Sequence, residues 1–191
     1  MPIVLERLEI CISSIDAPNY HDRFGNTLFS YLHADHYVTY LYFLSNTIWK
    51  EYQEKIISDK IMYLNRSLHG IYISYKCQLP DHFYLSHPVG TVLGNADYGD
   101  FLVVLQNVTV NTSLNGGKVP KIGKGCFLSA GCGIIGNEDI GDRVSLGVGT
   151  VVFQTYIPDD SVVKVKEGSF CSIEHRKSKL CRAQRDFNIS F

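Results

Sequence analysis

From Pro120 to Val152 the chain keeps a six-residue beat. Ile122, Leu128, Ile134, Ile140, Leu146 and Val152 are aliphatic, glycine follows at Gly123, Gly141 and Gly147, and small side chains recur two positions before the beat, as at Cys126, Cys132 and Thr150. A helix repeats near 3.6 residues and an ordinary strand alternates at two, so neither accounts for a beat of six held over this span. The pattern is that of a parallel β-helix in which each hexad is a short flat strand plus a turn. Every sixth side chain then stacks inward on the coil below, and a glycine or other small residue lets the backbone round the corner. Val104 and Val110 keep the phase of Ile122, which makes residues 111–119 a loop pushed out of one coil without loss of register. Ile73, Leu79 and Leu85 are again six apart. Counting back from Val104 reaches Tyr98 and Val92, whereas counting on from Leu85 reaches Thr91 and Asp97, so the phase slips by one residue and predicts an irregular corner there.

The first seventy residues carry a different period. Val4, Leu8, Cys11, Ile12 and Ile15 share one helical face, which predicts an amphipathic helix over residues 2–16. Pro18, Asn19 and Gly25 break it. Residues 27–57 read as a second helical region, either continuous or divided near His33 and His36. A third runs from Ser58, an N-cap candidate, to Gly70, a C-terminal stop. The expected fold is therefore mainly β: an α-helical segment over 1–70, a β-helix over 71–165, and a tail over 166–191. In that tail Arg176, Lys177, Lys179, Arg182 and Arg185 form either a solvated helix or a basic flap over an anionic ligand.

Composition narrows the function classes. Apolar residues make up 45% of the 191, charged residues 19%, and the formal net charge is -1, which gives no footprint for nucleic acid. No apolar run reaches membrane-spanning length and no basic, apolar leader opens the chain, so a cytoplasmic protein is expected. Six scattered cysteines without a C-x-x-C pair read as buried reduced thiols. His33 and His36 are three apart but lack a third ligand, so no metal site is expected.

The chemistry-bearing candidate is His87, in a tight stretch of small and apolar residues. An imidazole near neutrality suits general-base work on a hydroxyl. No G-x-S-x-G elbow is present to support a serine nucleophile. The run LSHPVGTVLG at 85–94, followed by LQNVTV, GGKVPKIGKG, IIGN and VGTVVFQ, resembles the catalytic half of serine O-acetyltransferases and their sugar O-acetyltransferase relatives, over about residues 71–165.

That resemblance implies a left-handed β-helix, a homotrimer with active sites between subunits, and acetyl-CoA as co-substrate. His87 would be the general base for direct transfer, with no covalent enzyme intermediate and with backbone N–H groups receiving the oxyanion. Ala130, Gly131, Val148 and Gly149 fall on the family's coenzyme A track, and Lys118, Lys121 and Lys124 are candidates for its phosphates.

Three departures bear on the acceptor. Ser86 stands where the family has an aspartate before the histidine, Tyr72 where it has the aspartate that orients the ring, and Lys118-Val119 where it has an Arg-His pair. Losing two carboxylates and an arginine removes the partners of a zwitterion. A sugar or surface-polysaccharide hydroxyl is therefore the expected acceptor, met by Ser86, Tyr72, Tyr84 and Lys118. Serine O-acetylation with an altered amino-acid site is the alternative, and a non-catalytic trimeric binding module is another. For the group that orients His87, Asp81, Asp97, the Tyr72 hydroxyl and a backbone carbonyl all stay open.

Overall fold

A computed structural model describes residues 2–111, 118–166 and 169–191. Three helices come first: α1 (Pro2–Ser13), α2 (Ala34–Tyr52) and α3 (Lys55–His69). α1 buries Val4, Leu8, Cys11 and Ile12, the face its spacing predicts. It stops before Ile15, which forms an antiparallel bridge with Phe187 of the tail instead. Residues 27–33 are not helical, and α2 begins only after His33. The break between α2 and α3 comes earlier than the sequence suggests. Gln53, at φ +53°, closes α2 with its N–H on the Trp49 carbonyl, so α3 starts at Lys55 and Ser58 lies buried within it rather than at its cap. Gly70 ends α3 as expected, in the left-handed conformation with its N–H on the Arg66 carbonyl.

α2 packs against both α1 and α3, and all three helices reach the first coil. It buries Val38, Leu41, Tyr42 and Phe43. Polar ties fix the seat: the Tyr42 hydroxyl donates to the Cys77 carbonyl at 3.0 Å and accepts the Leu79 N–H at 2.8 Å, while the Asn46 amide donates to the Tyr75 carbonyl at 2.8 Å. Buried backbone groups of an irregular first coil are thereby satisfied by the helix that covers them. Among the described residues no helix is long and apolar enough to cross a membrane.

Beyond α3 the chain winds into a three-faced solenoid of parallel strands. The first face stacks Tyr72–Ile73, Val92–Leu93, Thr109–Asn111, Gly133–Ile135 and Val151–Phe153. The second stacks Phe83–Leu85, Leu102–Val104, Phe127–Leu128, Ser145–Leu146 and Ser161–Lys166. The third pairs Asp97–Tyr98 with Lys121–Ile122, and bridges continue it through Ile140 to Ile157. The core is three columns of side chains, one inside each face. Leu85, Val104, Leu128, Leu146 and Val163 make one, all buried and in register. Burying each such aliphatic contributes about 1.5–3 kcal/mol. Where the third face meets the second, Gly99, Gly123 and Gly141 lie one above another. A Cβ on Gly123 would stand 2.5 Å from the Gly141 carbonyl carbon, so the coils can approach this closely only with glycine there.

The phase slip has a structural cause. Along the other corners between the second and first faces, inward residues are six apart, but Leu85 and Leu93 are eight apart. The inward residue is thus Leu93, fully buried, and not Val92, which is 37% exposed. The loop expected at 111–119 leaves the register intact, since Val104 pairs with Leu128 and Val110 with Ile134, though residues 112–117 lie outside the described residues.

The tail is no solvated helix. Ser169–His175 turns back antiparallel on Ser161–Lys166, and the chain then returns along the solenoid through a 3-10 turn at Ala183–Asp186. There the Asp16 N–H donates to the Asp186 carbonyl at 2.9 Å, and Phe191 stacks on Phe101 at 4.1 Å. Arg176 spends its charge on Asp160, which Arg143 also holds.

Candidate active site at the enlarged corner

The two extra residues between Leu85 and Leu93 push the chain outward, and His87 stands at the tip. Its backbone is left-handed, φ +49°, uncommon for a residue with a Cβ. Its side chain is 79% exposed, while the partner that meets it is not: Asp35, in the first turn of α2, is 3% exposed. One Asp35 oxygen, Oδ1, accepts the His87 backbone N–H at 3.1 Å, and the other, Oδ2, lies 3.5 Å from His87 Nδ1. The second distance is an ion-pair separation rather than a formed hydrogen bond. Nε2 makes no hydrogen bond among the described residues. Burial pushes the Asp35 carboxyl above the usual range, and the His87 amide, with the imidazoles of His87, His33 and His69, pulls it back.

Aromatic rings wall the Asp35 side. Tyr84, on the strand Phe83–Leu85, and Ser86 just beyond it lead into His87. Tyr20 meets Tyr84 edge-on at 5.5 Å and His36 at 4.4 Å, and His36 stacks on His33 at 4.0 Å. His36 Nδ1 accepts the Ser30 N–H, so this ring must be neutral there, and burial pulls its pKa down to about 4.

The coenzyme candidates Ala130, Gly131, Val148 and Gly149 lie on the same solenoid edge as His87. Backbone bonds climb that edge coil by coil: Asn107 N–H to the Val89 carbonyl at 2.9 Å, Gly131 N–H to Gln106 at 2.9 Å, Gly149 N–H to Ala130 at 3.0 Å. Gly90, Asn107, Gly131 and Gly149 all have positive φ along this edge, and the enlarged corner of the first coil adds His87. Val148 is 72% exposed, and a Cβ on Gly149 would meet nothing within 4 Å, so the edge is open to an extended ligand.

The remaining candidates sit elsewhere. Tyr72 is on the first face, its ring 5.6 Å from the Arg66 guanidinium, and no contact joins it to His87. Lys118 pairs with Asp139 at 2.5 Å beside the third face. Lys124 is on the corner between the third and second faces, its ammonium over the rings of Phe101 and Phe191. Lys121 also belongs to the third face. Asp97 is in a third-face strand as well. Asp35 was not among the sequence candidates. A groove of about 380 Å³ runs between the second face and the tail, lined by Phe127, Ser145, Gly147, Arg176, Arg182 and Arg185, three of them basic tail residues that the sequence offers as a flap over an anionic ligand. Gly147 carries that groove up to the edge that ends in His87.

Cys11, Cys77, Cys126 and Cys132 are buried, and burial pushes each thiol up to about 12, which leaves them inert. Among the described residues no cluster of His, Cys, Asp or Glu could hold a metal ion.

No protein-family model matches the chain. It is similar to the serine acetyltransferase of Synechococcus elongatus, 29% identical over 119 residues that make up 60% of this chain and 49% of that protein. The chain thus spans about half the length of this curated relative. Among solved structures, the serine acetyltransferase of Brucella abortus strain S19 superposes with a TM-score of 0.75 at 22% identity, over 94% of this chain and 71% of that one. A serine acetyltransferase in complex with CoA superposes with a TM-score of 0.71 at 18% identity, over 91% and 70%. At such identities the superpositions speak to fold alone, and they agree with the helical cap and coils described above. By its hexad pattern and its architecture the chain is a hexapeptide-repeat, left-handed β-helix with a helical cap, and the relatives and structures it is similar to are serine acetyltransferases.

Proposed function

We propose that the chain transfers the acetyl group of acetyl-CoA to a hydroxyl, with His87 as general base. The observation that carries this reading is the placement of His87: exposed, backed by a buried carboxylate on its Nδ1 side, and at the end of an edge kept open by Gly131 and Gly149. In the reaction the acceptor oxygen attacks the thioester carbonyl carbon while its proton passes to His87 Nε2. The tetrahedral oxyanion collapses, the carbon–sulfur bond breaks, and the imidazolium returns the proton to the leaving CoA thiolate. No enzyme acyl intermediate is needed, in keeping with the inert cysteines. The coenzyme's pantetheine arm lies along the Ala130–Gly131 and Val148–Gly149 corners, and the basic groove beside Gly147 takes its phosphates. This departs from Lys118 and Lys124, which lie on other sides of the solenoid. The work is placed in the cytoplasm, where acetyl-CoA is at hand.

The acceptor reading follows the relatives, which are named for serine. L-serine is therefore proposed ahead of the sugar or polysaccharide hydroxyl expected from Ser86, Tyr72 and Lys118, which nothing among the relatives supports. The product would be an O-acetylated serine, an activated precursor for cysteine synthesis. A homotrimer is part of the proposal: on the first face Tyr72 and Val92 at one end and Val151 and Phe153 at the other are exposed, with Thr109 and Gly133 between them, apolar surface that one chain leaves uncovered. The test is free-thiol release from acetyl-CoA with L-serine and with a panel of sugars. Turnover with L-serine should fall by about 10²–10⁴-fold in His87→Ala. A variant as active as the parent would end the reading.

A further inference from the structure

His87 stands exposed at the tip of the enlarged corner, yet it is not left unsupported. We infer that Asp35, supplied by the helical cap, is the positioning residue of the catalytic imidazole, so that the cap is part of the reaction machinery and not only a cover for the coils. The inference rests on the transferase reading above and goes beyond it.

The geometry carries it. Asp35 grips the corner at two points: Oδ1 takes the backbone N–H of His87, and Oδ2 faces Nδ1 of the same residue. The first contact holds the left-handed backbone on which the ring's direction depends. The second selects the tautomer, because a carboxylate opposite Nδ1 favours the proton there and leaves the Nε2 lone pair for the acceptor hydroxyl. A carboxylate this deeply buried costs free energy unless it is used, and His87 is its one ion-pair partner among the described residues. The enlarged corner has a purpose on this view, since its two extra residues carry His87 out to the first turn of α2. That turn is fixed in turn by its own packing: Val38, Tyr42 and Asn46, farther along the helix, are seated against α3 and the first coil. Tyr72, an orienting candidate from the sequence, is occupied with Arg66 on another face.

The test combines Asp35→Asn, Asp35→Glu, His87→Ala and the double variant Asp35→Asn/His87→Ala in the full chain. Asn at 35 keeps the size and can still accept the backbone N–H, but it no longer draws the proton to Nδ1. Its kcat should fall about 10- to 100-fold, less than the whole contribution of the base, with KM for acetyl-CoA within about twofold and Asp35→Glu recovering part of the loss. In the His87→Ala background the same change should cost nothing further, because Asp35 acts only through the ring. Nitrogen-15 spectra of the histidines should show His87 protonated on Nδ1 in the parent and shifted toward the other tautomer in Asp35→Asn. An unchanged kcat, an equal loss with and without His87, or a tautomer indifferent to residue 35 would overturn the inference. If the parent releases no thiol with any acceptor, the transferase reading fails instead, and the nitrogen-15 comparison still decides whether Asp35 governs the ring.

Discussion

Replacing Gly149 by alanine separates what the edge needs for folding from what it needs for the coenzyme. Gly149 has φ +68°, and a Cβ there would meet nothing within 4 Å. The folding cost is then conformational alone, about 1–2 kcal/mol for holding an L-residue in the left-handed region, or a Tm drop of about 2–8 °C for a chain of this size. Gly25 supplies a matched control: φ +85°, equally open, but in the turn between α1 and α2 and away from the edge. Gly25→Ala should lose the same stability and keep its kinetics. Gly149→Ala should in addition raise KM for acetyl-CoA about tenfold, equivalent to about 1.4 kcal/mol of lost binding, because the new methyl occupies the line of approach to the corner backbone. Both variants would be followed by thermal melts and by thiol release at varied acetyl-CoA with saturating acceptor. Equal KM values in the two variants would show that the coenzyme does not run along this edge, whatever the melts report.

Two other outcomes follow from the packing. Leu128→Ala deletes a fully buried side chain stacked between Val104 and Leu146, and should cost about 2–5 kcal/mol in a urea melt; a loss under about 1 kcal/mol would mean the column collapses to fill the gap. His36 should make stability fall in acid. Its folded pKa of about 4 lies below the unfolded value of about 6.5. The stability tied to its neutral form is therefore complete above about pH 6.5 and lost as pH drops toward 4, by up to about 3 kcal/mol, as the unfolded chain takes the proton first. The raised Asp35 carboxyl works in the opposite direction, losing stability as pH rises, so the measure is the difference between the parent and His36→Gln. Parallel curves over pH 4–6.5 would refute the assignment.

How much of this was visible in the residue string depends on whether the constraint repeats. Each inward column is built by one side chain resting on its equivalent in the next coil, so the demand for an aliphatic recurs every hexad and can be counted. The same phase explains the edge: Gly131 and Gly149 are three hexads apart, one full coil, and so share a corner. Lys124 is one hexad out of step with Ala130, which in a three-faced solenoid is another corner. Counting hexads around the coil, rather than noting nearness in the motif, places it on the side where Phe101 and Phe191 hold it. The enlarged corner appears in the string only as a count that fails to close, which locates the irregularity but assigns Val92 the inward place that Leu93 takes.

The group behind His87 is harder still, and for a physical reason. In the coils a departure from the repeat is conspicuous, but the repeat says nothing about which group outside it faces His87. Asp35 reaches His87 from 52 positions away, across the seat of α2 on the first coil, and that seat is set by contacts that occur once each: Tyr42 with Cys77 and Leu79, Asn46 with Tyr75. A unique contact leaves no period to count. The trace available beforehand was chemical, an aspartate between two histidines at the start of an apolar helix, where a solvent-facing carboxylate in the first turn would be the ordinary expectation. Only its burial distinguishes it, because a buried carboxylate must have a partner, and burial is a property of the packed cap rather than of the string. The step from exposed imidazole to oriented base therefore belongs to tertiary structure, and a change that loosens α2 from the first coil should weaken transfer even where every hexad is intact.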